Sequence, residues 1–162
     1  MIVAPYASVS GERIEPAVMD QVDKAFFPHV LVVDQGRSVV FPNSDNIRHH
    51  VYSFSDPKPF EIKLYANRPE KPVVFEQPGV IVLGCNIHDN MVGYIFVSQW
   101  SGAVVTDEQG IAQLNYRRDG TLPESIQLWH PLQSNLAELQ TQSTQGWSTD
   151  QIVTVSLNLP AG

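Results

Sequence analysis

The chain of 162 residues is long enough for one domain, or for one domain with a small second one, and 43% hydrophobic residues supply a core. Its net charge of −7 disfavours binding to nucleic acid, because a phosphate backbone requires a basic face. No apolar run reaches the length of about 18 residues that would span a membrane. The single cysteine excludes an internal disulfide, so it is core filler, a reactive thiol or a metal ligand.

The elements, taken in chain order, predict an all-β protein. Twelve prolines and ten glycines separate short apolar runs rich in Val, Ile, Tyr and Phe. A first candidate strand occupies residues 2–7, and a dense series of runs begins near residue 26. The strands predicted in that series are 30–33, 38–41, 50–54, 60–65, 72–75, 80–84 and 93–97. Their lengths and spacing indicate a sandwich or a barrel.

Beyond Trp100 the sequence pattern changes. Residues 133–150 are rich in Gln, Ser and Thr and are predicted to be a loop, with 134–141 as the candidate for one short helix. The further strands predicted in this part are 103–106, 111–116, 126–129 and 152–157.

The expected domain organisation has three parts. Residues 1–19 form an N-terminal strand or extension, residues 20–99 the main domain, and residues 100–162 a small β domain. Four strands are few for a robust sandwich, so residues 1–19 are an alternative source of a strand for the small domain. In that case the main domain is an insertion in the sequence.

The segment from Cys85 to Met91 carries the strongest chemical signal. It holds a thiolate, the imidazole of His88 and a thioether within seven residues, between two apolar strands, so we expect a loop that turns all three side chains toward one point. Soft sulfur with imidazole suits copper, and a trigonal Cys-His-His site with a weak axial Met is an electron-transfer geometry. Zinc would use the Cys and the His but has little use for the thioether. The second imidazole has to come from His49 or His50, about 36 residues upstream of Cys85.

These residues resemble a known family. Phe41-Pro42-Asn43, His49-His50-Val51 and the Cys85-x-x-His88-x-x-Met91 spacing resemble the plastocyanin and amicyanin type of cupredoxin, over roughly residues 26–98. The short spacing looks most like amicyanin, and the broader stretch looks like a bacterial group described as plastocyanin-like or methylamine-utilisation proteins. The resemblance implies a Greek-key cupredoxin sandwich with a small C-terminal β appendage. It also implies a mononuclear type 1 (blue) copper centre that transfers single electrons and is not an enzyme.

The resemblance assigns the metal ligands residue by residue, as His49, Cys85, His88 and Met91, for one copper ion per chain. His49 stands six residues after Asn43, as the first histidine of the family commonly does. The family usually has Asn at the next position, where this chain has His50, and that departure leaves open which histidine binds. Because neighbouring side chains of a strand point to opposite faces, only one of the two should point inward, and we favour His49.

The same resemblance implies a location and a partner. We expect export to the periplasm or another oxidising compartment, with a signal peptide removed, and a redox partner such as a c-type cytochrome or a dehydrogenase. An acidic surface would suit a basic partner, although solubility is the favoured explanation of the charge of −7. Two alternatives stay open: a copper carrier or storage protein, and a copper enzyme or sensor with an open coordination position if Met91 does not coordinate.

Three features remain outside this centre. His29 and His130 are predicted to be surface or turn histidines, with a second metal as the less favoured interpretation of each. The segment 106–110, with 129–131, resembles the small β domains called carboxypeptidase regulatory-like, which usually contribute packing or partner contacts.

Overall fold

A computed structural model describes residues 2–3, 15–67, 71–100, 102–114, 122–148 and 151–160. Within these residues the secondary structure is strand and turn with no helix, and so no helix that could cross a membrane. The chain divides into two compact units, Gly11–Gln99 and Met1–Ser10 with Trp100–Gly162, which are described separately. The all-β class expected from the sequence is confirmed, whereas the domain boundaries after residues 19 and 99 stay a prediction.

The strands, numbered in chain order, are β1 (Ile2–Val3), β2 (Ala17–Val18), β3 (Asp20–Val22), β4 (Ala25–Phe27), β5 (Val30–Asp34), β6 (Ser38–Val40), β7 (His49–Ser53), β8 (Phe60–Tyr65), β9 (Val73–Val74), β10 (Gly79–Cys85), β11 (His88–Ser98), β12 (Ser125–Leu128) and β13 (Gln140–Ser143). Every strand predicted between residues 30 and 97 is present. The prediction from sequence missed β2, β3 and β4, which are strands of only two or three residues.

The Gly11–Gln99 unit is a sandwich of a five-stranded and a three-stranded sheet. The larger sheet has the order β5-β11-β10-β7-β8 and the smaller one the order β2-β6-β9, while β3 and β4 form a separate hairpin. The pairs β5/β11 and β2/β6 are parallel, and the other pairs are antiparallel. Because β2 pairs with β6, Ala17 and Val18 are part of the sandwich.

The core lies where the inner faces of these sheets meet. Along β10 the residues Ile81, Leu83 and Cys85 point inward at a period of two, and each is at most 4% exposed. The buried cluster that they join consists of Ala17, Met19, Phe26, Val33, Val39, Phe41, Val51, Phe75, Ile81, Leu83, Cys85, Met91, Ile95 and Val97. The candidate metal ligands Cys85 and Met91 are therefore part of the same core that stabilises the sandwich.

Phe75 tests how much this core contributes to stability. Its side chain is fully buried, and its ring forms a T-shaped pair with the Phe60 ring, with the centroids 5.9 Å apart. We expect Phe75→Ala to lower the free energy of unfolding by about 3–5 kcal/mol, since it removes buried apolar surface and leaves a cavity. Phe54 is 86% exposed, so the control Phe54→Ala should cost about 0.5 kcal/mol or less. Urea unfolding followed by circular dichroism measures both, and equal losses would contradict the described core.

The second unit contains a three-stranded sheet in the order β1-β12-β13. The N-terminal strand pairs with β12 through Ile2 and Leu128, and β12 pairs antiparallel with β13. Within the described residues, a small buried cluster of this unit consists of Ile126 and Leu128, with Leu114, Trp147, Val155 and Leu157 packed against it. The predicted strand at 126–129 is confirmed as β12, and residues 4–7 of the predicted first strand lie outside the described part.

Other predictions for this unit were wrong. Residues 134–141 form no helix; the stretch ends in β13, where Gln140 pairs with Leu128. Tertiary pairing with β12 thus outweighs a weak helical pattern. The predicted strands at 103–106, at 111–114 and at 152–157 are not strands in the structure, and residues 115–116 lie outside the described part.

Candidate metal centre

The centre is built around a hairpin that joins β10 to β11. β10 ends at Cys85 and β11 begins at its partner His88, so only residues 86–87 form the turn. The expected loop from residue 85 to 91 is therefore corrected: its second half continues the strand. Gly84 pairs with Val92 whereas Cys85 pairs with His88, so residues 89–91 stand between the two pairs. Such an irregularity re-aims side chains, and Met91 within it is only 1% exposed.

Three donor atoms converge at this end of the sandwich. The Cys85 Sγ lies 3.7 Å from the His49 Nδ1 and 3.6 Å from the His88 Nδ1, and the three ligand atoms lie within 4.8 Å of one another. A sulfur and a nitrogen bound to one ion at about 2.3 Å and about 2.0 Å, with about 110–120° between them, lie about 3.5–3.8 Å apart. The observed separations therefore fit a single metal ion without rearrangement of the side chains.

Burial differs among these residues. His49 and Cys85 are 0% and 4% exposed, whereas His88 is half-buried at the start of β11. Met91 belongs to the same buried cluster as Cys85. A soft thiolate, two imidazoles and a nearby buried thioether form a donor set that suits copper better than zinc. The coordination of any one residue remains a prediction.

The two adjacent histidines of β7 point to opposite faces of the sheet. His49 faces Cys85, whereas the His50 Nε2 lies 3.0 Å from the Glu61 Oε1 and its ring centroid lies 5.9 Å from that of Tyr52. The approach to Glu61 suits an ion pair when the imidazole is protonated, but its angles do not make a hydrogen bond. The structure therefore brings His49, and not His50, to the converging donor atoms.

Asn43 organises the loop that leads to His49. Its side-chain nitrogen donates to the carbonyl oxygens of Ile47, at 2.8 Å, and of Tyr65, at 3.1 Å. Its side-chain oxygen accepts a hydrogen bond from the backbone N–H of Asp45 at 3.1 Å. These contacts hold the loop in a compact turn, which is the physical reason for the six-residue spacing between Asn43 and His49.

Sequence reasoning missed Asp45. Its Oδ2 lies 2.6 Å from the His49 Nε2, on the far side of the imidazole from Cys85. Burial acts to raise the pKa of Asp45, but the backbone N–H of Lys24, the His49 side chain and the backbone N–H of Asp23 together lower the pKa below its usual value. Asp45 is thus held as a carboxylate. The signal for it was an acid four residues before a candidate ligand, within the turn-forming run 43–45.

A half-buried phenol, that of Tyr65, lies on the β8 side of the site. The Tyr65 hydroxyl donates to the carbonyl oxygen of Phe41 at 2.8 Å and accepts from the Gln21 side-chain nitrogen. Burial above all, with smaller contributions from the charges of Asp20 and Cys85, raises the pKa of Tyr65 to about 12 against the Gln21 hydrogen bond. Tyr65 is therefore neutral at physiological pH and contributes no charge to the site.

The remaining histidines lie elsewhere. His29 is exposed in a bend before β5, and its ring forms a T-shaped pair with the Tyr94 ring, with the centroids 5.3 Å apart. His130 is half-buried after β12, where its Nδ1 accepts a hydrogen bond from the backbone N–H of Leu132 at 3.1 Å. Burial lowers the pKa of His130. Among the described residues, neither belongs to a group of three or more His, Cys, Asp or Glu donors.

No protein-family model matches the chain, and no curated protein matches it. Among solved structures, a Cu-containing nitrite reductase from Thermus scotoductus SA-01 aligns with 58% of this chain at 27% identity and a TM-score of 0.49, and this chain spans only 25% of the reductase. An oxidised point mutant of amicyanin aligns with 59% of this chain at 18% identity and a TM-score of 0.47, and the alignment covers 92% of the amicyanin chain. A purple cupredoxin from Nitrosopumilus maritimus aligns with 60% of this chain at 24% identity and a TM-score of 0.41, and the alignment covers 97% of the purple cupredoxin.

The fold and the site define a class of protein. The Gly11–Gln99 unit is an all-β sandwich of a five-stranded and a three-stranded sheet, so the all-β class expected from the sequence is confirmed, and its cupredoxin type stays a prediction. At one end of this sandwich, side chains of β7, β10 and β11 form a sulfur- and imidazole-containing site that suits copper.

Proposed function

We propose that this protein holds one copper ion per chain in a type 1 (blue) centre and acts in one-electron transfer, and is not an enzyme. The observation that carries the proposal is the convergence of the Cys85 Sγ with the Nδ1 atoms of His49 and His88. Bound copper would supply a couple between its +1 and +2 states. In this proposal Cys85, His49 and His88 would hold the ion, with the thioether of Met91 as a fourth and weaker ligand.

The surroundings of these residues support electron transfer over copper delivery. His49 and Cys85 are buried in adjacent paired strands, so their donor atoms are held by the sandwich rather than by a mobile loop. A fixed ligand set that suits both oxidation states keeps structural change on electron transfer small. His88 is half-buried and borders the exposed turn at residues 86–87, so we assign it as the edge through which electrons leave.

We also propose a partner and a location. The net charge of −7 favours a basic redox protein, such as a c-type cytochrome or a dehydrogenase with a basic face. Export to the periplasm or another oxidising compartment suits a copper–thiolate site, since free copper is scarce in the cytosol. A native precursor without any export signal would contradict the location.

A paired measurement separates an electron carrier from a copper carrier. We expect rapid electron self-exchange between oxidised and reduced protein, together with slow loss of copper to a competing chelator, because both properties follow from a ligand set that the sandwich holds in place. Nuclear magnetic resonance line broadening in mixtures of the two oxidation states gives the first rate, and chelator competition gives the second. Slow self-exchange with rapid copper release would favour a carrier or storage protein instead.

A further inference from the structure

Asp45 joins the candidate ligand His49 to a distant turn of the chain. One carboxylate oxygen lies 2.6 Å from the His49 Nε2 and accepts the backbone N–H of Lys24 at 2.9 Å. The other oxygen accepts the backbone N–H of Asp23 at 2.7 Å. The Asp45 side chain is 11% exposed, so these partners largely replace solvent around the carboxylate. A single acid therefore links the imidazole to the turn between β3 and β4.

The turn itself has an unusual backbone. Asp23 and Lys24 have φ angles of 52° and 59°, which lie in the left-handed region that residues with a side chain seldom adopt. Such a conformation is strained for a residue with a side chain, so the surrounding contacts must stabilise it. In this conformation both N–H groups point to the same side, where they meet the Asp45 carboxylate.

The β3–β4 hairpin is also attached to the loop that carries Asp45. The Gln21 carbonyl oxygen accepts the backbone N–H of Ser44 at 3.0 Å, and the Gln21 side-chain nitrogen donates to the Pro42 carbonyl oxygen at 2.9 Å. The Ser44 hydroxyl donates to the Asp20 carboxylate at 2.8 Å. Phe26, on β4, is 2% exposed in the main core. These hydrogen bonds and the buried Phe26 hold the β3–β4 hairpin against the loop at residues 42–45, so the hairpin constrains the position of Asp45.

We propose that Asp45, held by the Asp23–Lys24 turn, is a positioning residue that presets His49 for the metal. The inference rests on the proposed function, because it assumes that His49 binds the ion. A carboxylate at Nε2 keeps the hydrogen of the neutral imidazole on that nitrogen and leaves the lone pair of Nδ1 directed toward Cys85. Its negative charge beside a ligand also stabilises oxidised copper more than reduced copper.

The test compares Asp45→Asn with the control Asp89→Asn. Asp89 is exposed and follows His88 directly, so its substitution removes one charge near the site without changing a hydrogen bond to His49. We expect Asp45→Asn to weaken Cu(II) binding about 10- to 100-fold, the usual effect of losing a hydrogen-bond partner of a metal-bound histidine. It should also raise the reduction potential more than the control, which should bind Cu(II) within about threefold of the wild type.

Chelator competition and voltammetry measure these effects, and the outcomes are distinguishable. Absence of copper binding by the wild-type chain would contradict the proposed function itself. A wild type that binds copper, with Asp45→Asn and Asp89→Asn indistinguishable in affinity and potential, would overturn the positioning role alone.

Hydrogen exchange of the wild type decides the question if Asp45→Asn does not fold. Loading with Cu(I) should slow exchange of the Asp23 and Lys24 amides, because the ion fixes His49 and hence the acceptor that those amides share. The amide of Arg37 donates to the Asp34 carbonyl oxygen in a different turn and should be unaffected. Equal changes at the two turns, or none at residues 23 and 24, would refute the inference.

Discussion

Cys85→Ser is expected to abolish the intense visible absorption that one equivalent of Cu(II) gives the wild-type chain. That absorption arises from charge transfer between a thiolate and Cu(II). The thiol sulfur that converges with both candidate imidazoles is the Cys85 Sγ, at 3.7 Å from the His49 Nδ1 and 3.6 Å from the His88 Nδ1. A serine hydroxyl in the same place has neither the softness nor the low pKa of a thiol, so the variant should lose the colour completely and most of its affinity.

Optical and electron paramagnetic resonance titrations with Cu(II) measure this effect. The matched control is Asn86→Ser, which alters an exposed residue of the adjacent turn and should keep the band. A colourless complex of one Cu(II) with the wild-type chain, or a band that survives Cys85→Ser, would show that the site is not a copper–thiolate centre.

His49→Ala should likewise eliminate the coloured site, whereas His50→Ala should only perturb it. The His49 ring is fully buried and directs Nδ1 toward Cys85, so its removal deletes one of the three converging donors. The His50 ring lies on the other face of β7, 3.0 Å from Glu61. Its loss removes an outer-face contact and leaves the donor atoms in place, so Cu(II) affinity should stay within about threefold of the wild type.

The two variants serve as controls for each other, because they are neighbours in one strand and make the same chemical change. Circular dichroism of the copper-free proteins establishes that both fold. If His50→Ala lost the colour and His49→Ala kept it, the register of β7 would have to shift by one residue and His50 would be the ligand.

His50 stands where the resembling proteins usually have Asn, and its Nε2 approaches Glu61 of β8. The described contacts that hold the His49 loop come from other residues: Asn43 bonds to Ile47 and Tyr65, and Asp45 bonds to the β3–β4 turn. Among the described contacts, those that hold the His49 loop therefore come from Asn43 and Asp45, and the His50 side chain is not one of them.

Much of the main fold could be predicted because short local patterns in the sequence identify its strands. Alternating or continuous apolar runs between Gly, Pro and Asn turns identify each strand from β5 to β11, and only their ends shift. The spacing of Cys85, His88 and Met91 likewise identifies a candidate metal site, because chemically distinctive residue types stand close together in sequence. Both features depend on short stretches of chain and need no knowledge of distant neighbours.

Contacts between segments that are distant in sequence decided the features that the local patterns did not predict. The sequence predicts that only one of His49 and His50 faces inward, but which one depends on pairing with β8, whose register shifts between His49 and Val51. β13 is a strand because β12 lies beside it. Asp45 meets His49 because the β3–β4 turn, about 20 residues away in sequence, supplies the N–H groups that orient its carboxylate. The amides of Asp23 and Lys24 belong to another segment, so only the folded positions of the two segments bring them to the Asp45 carboxylate.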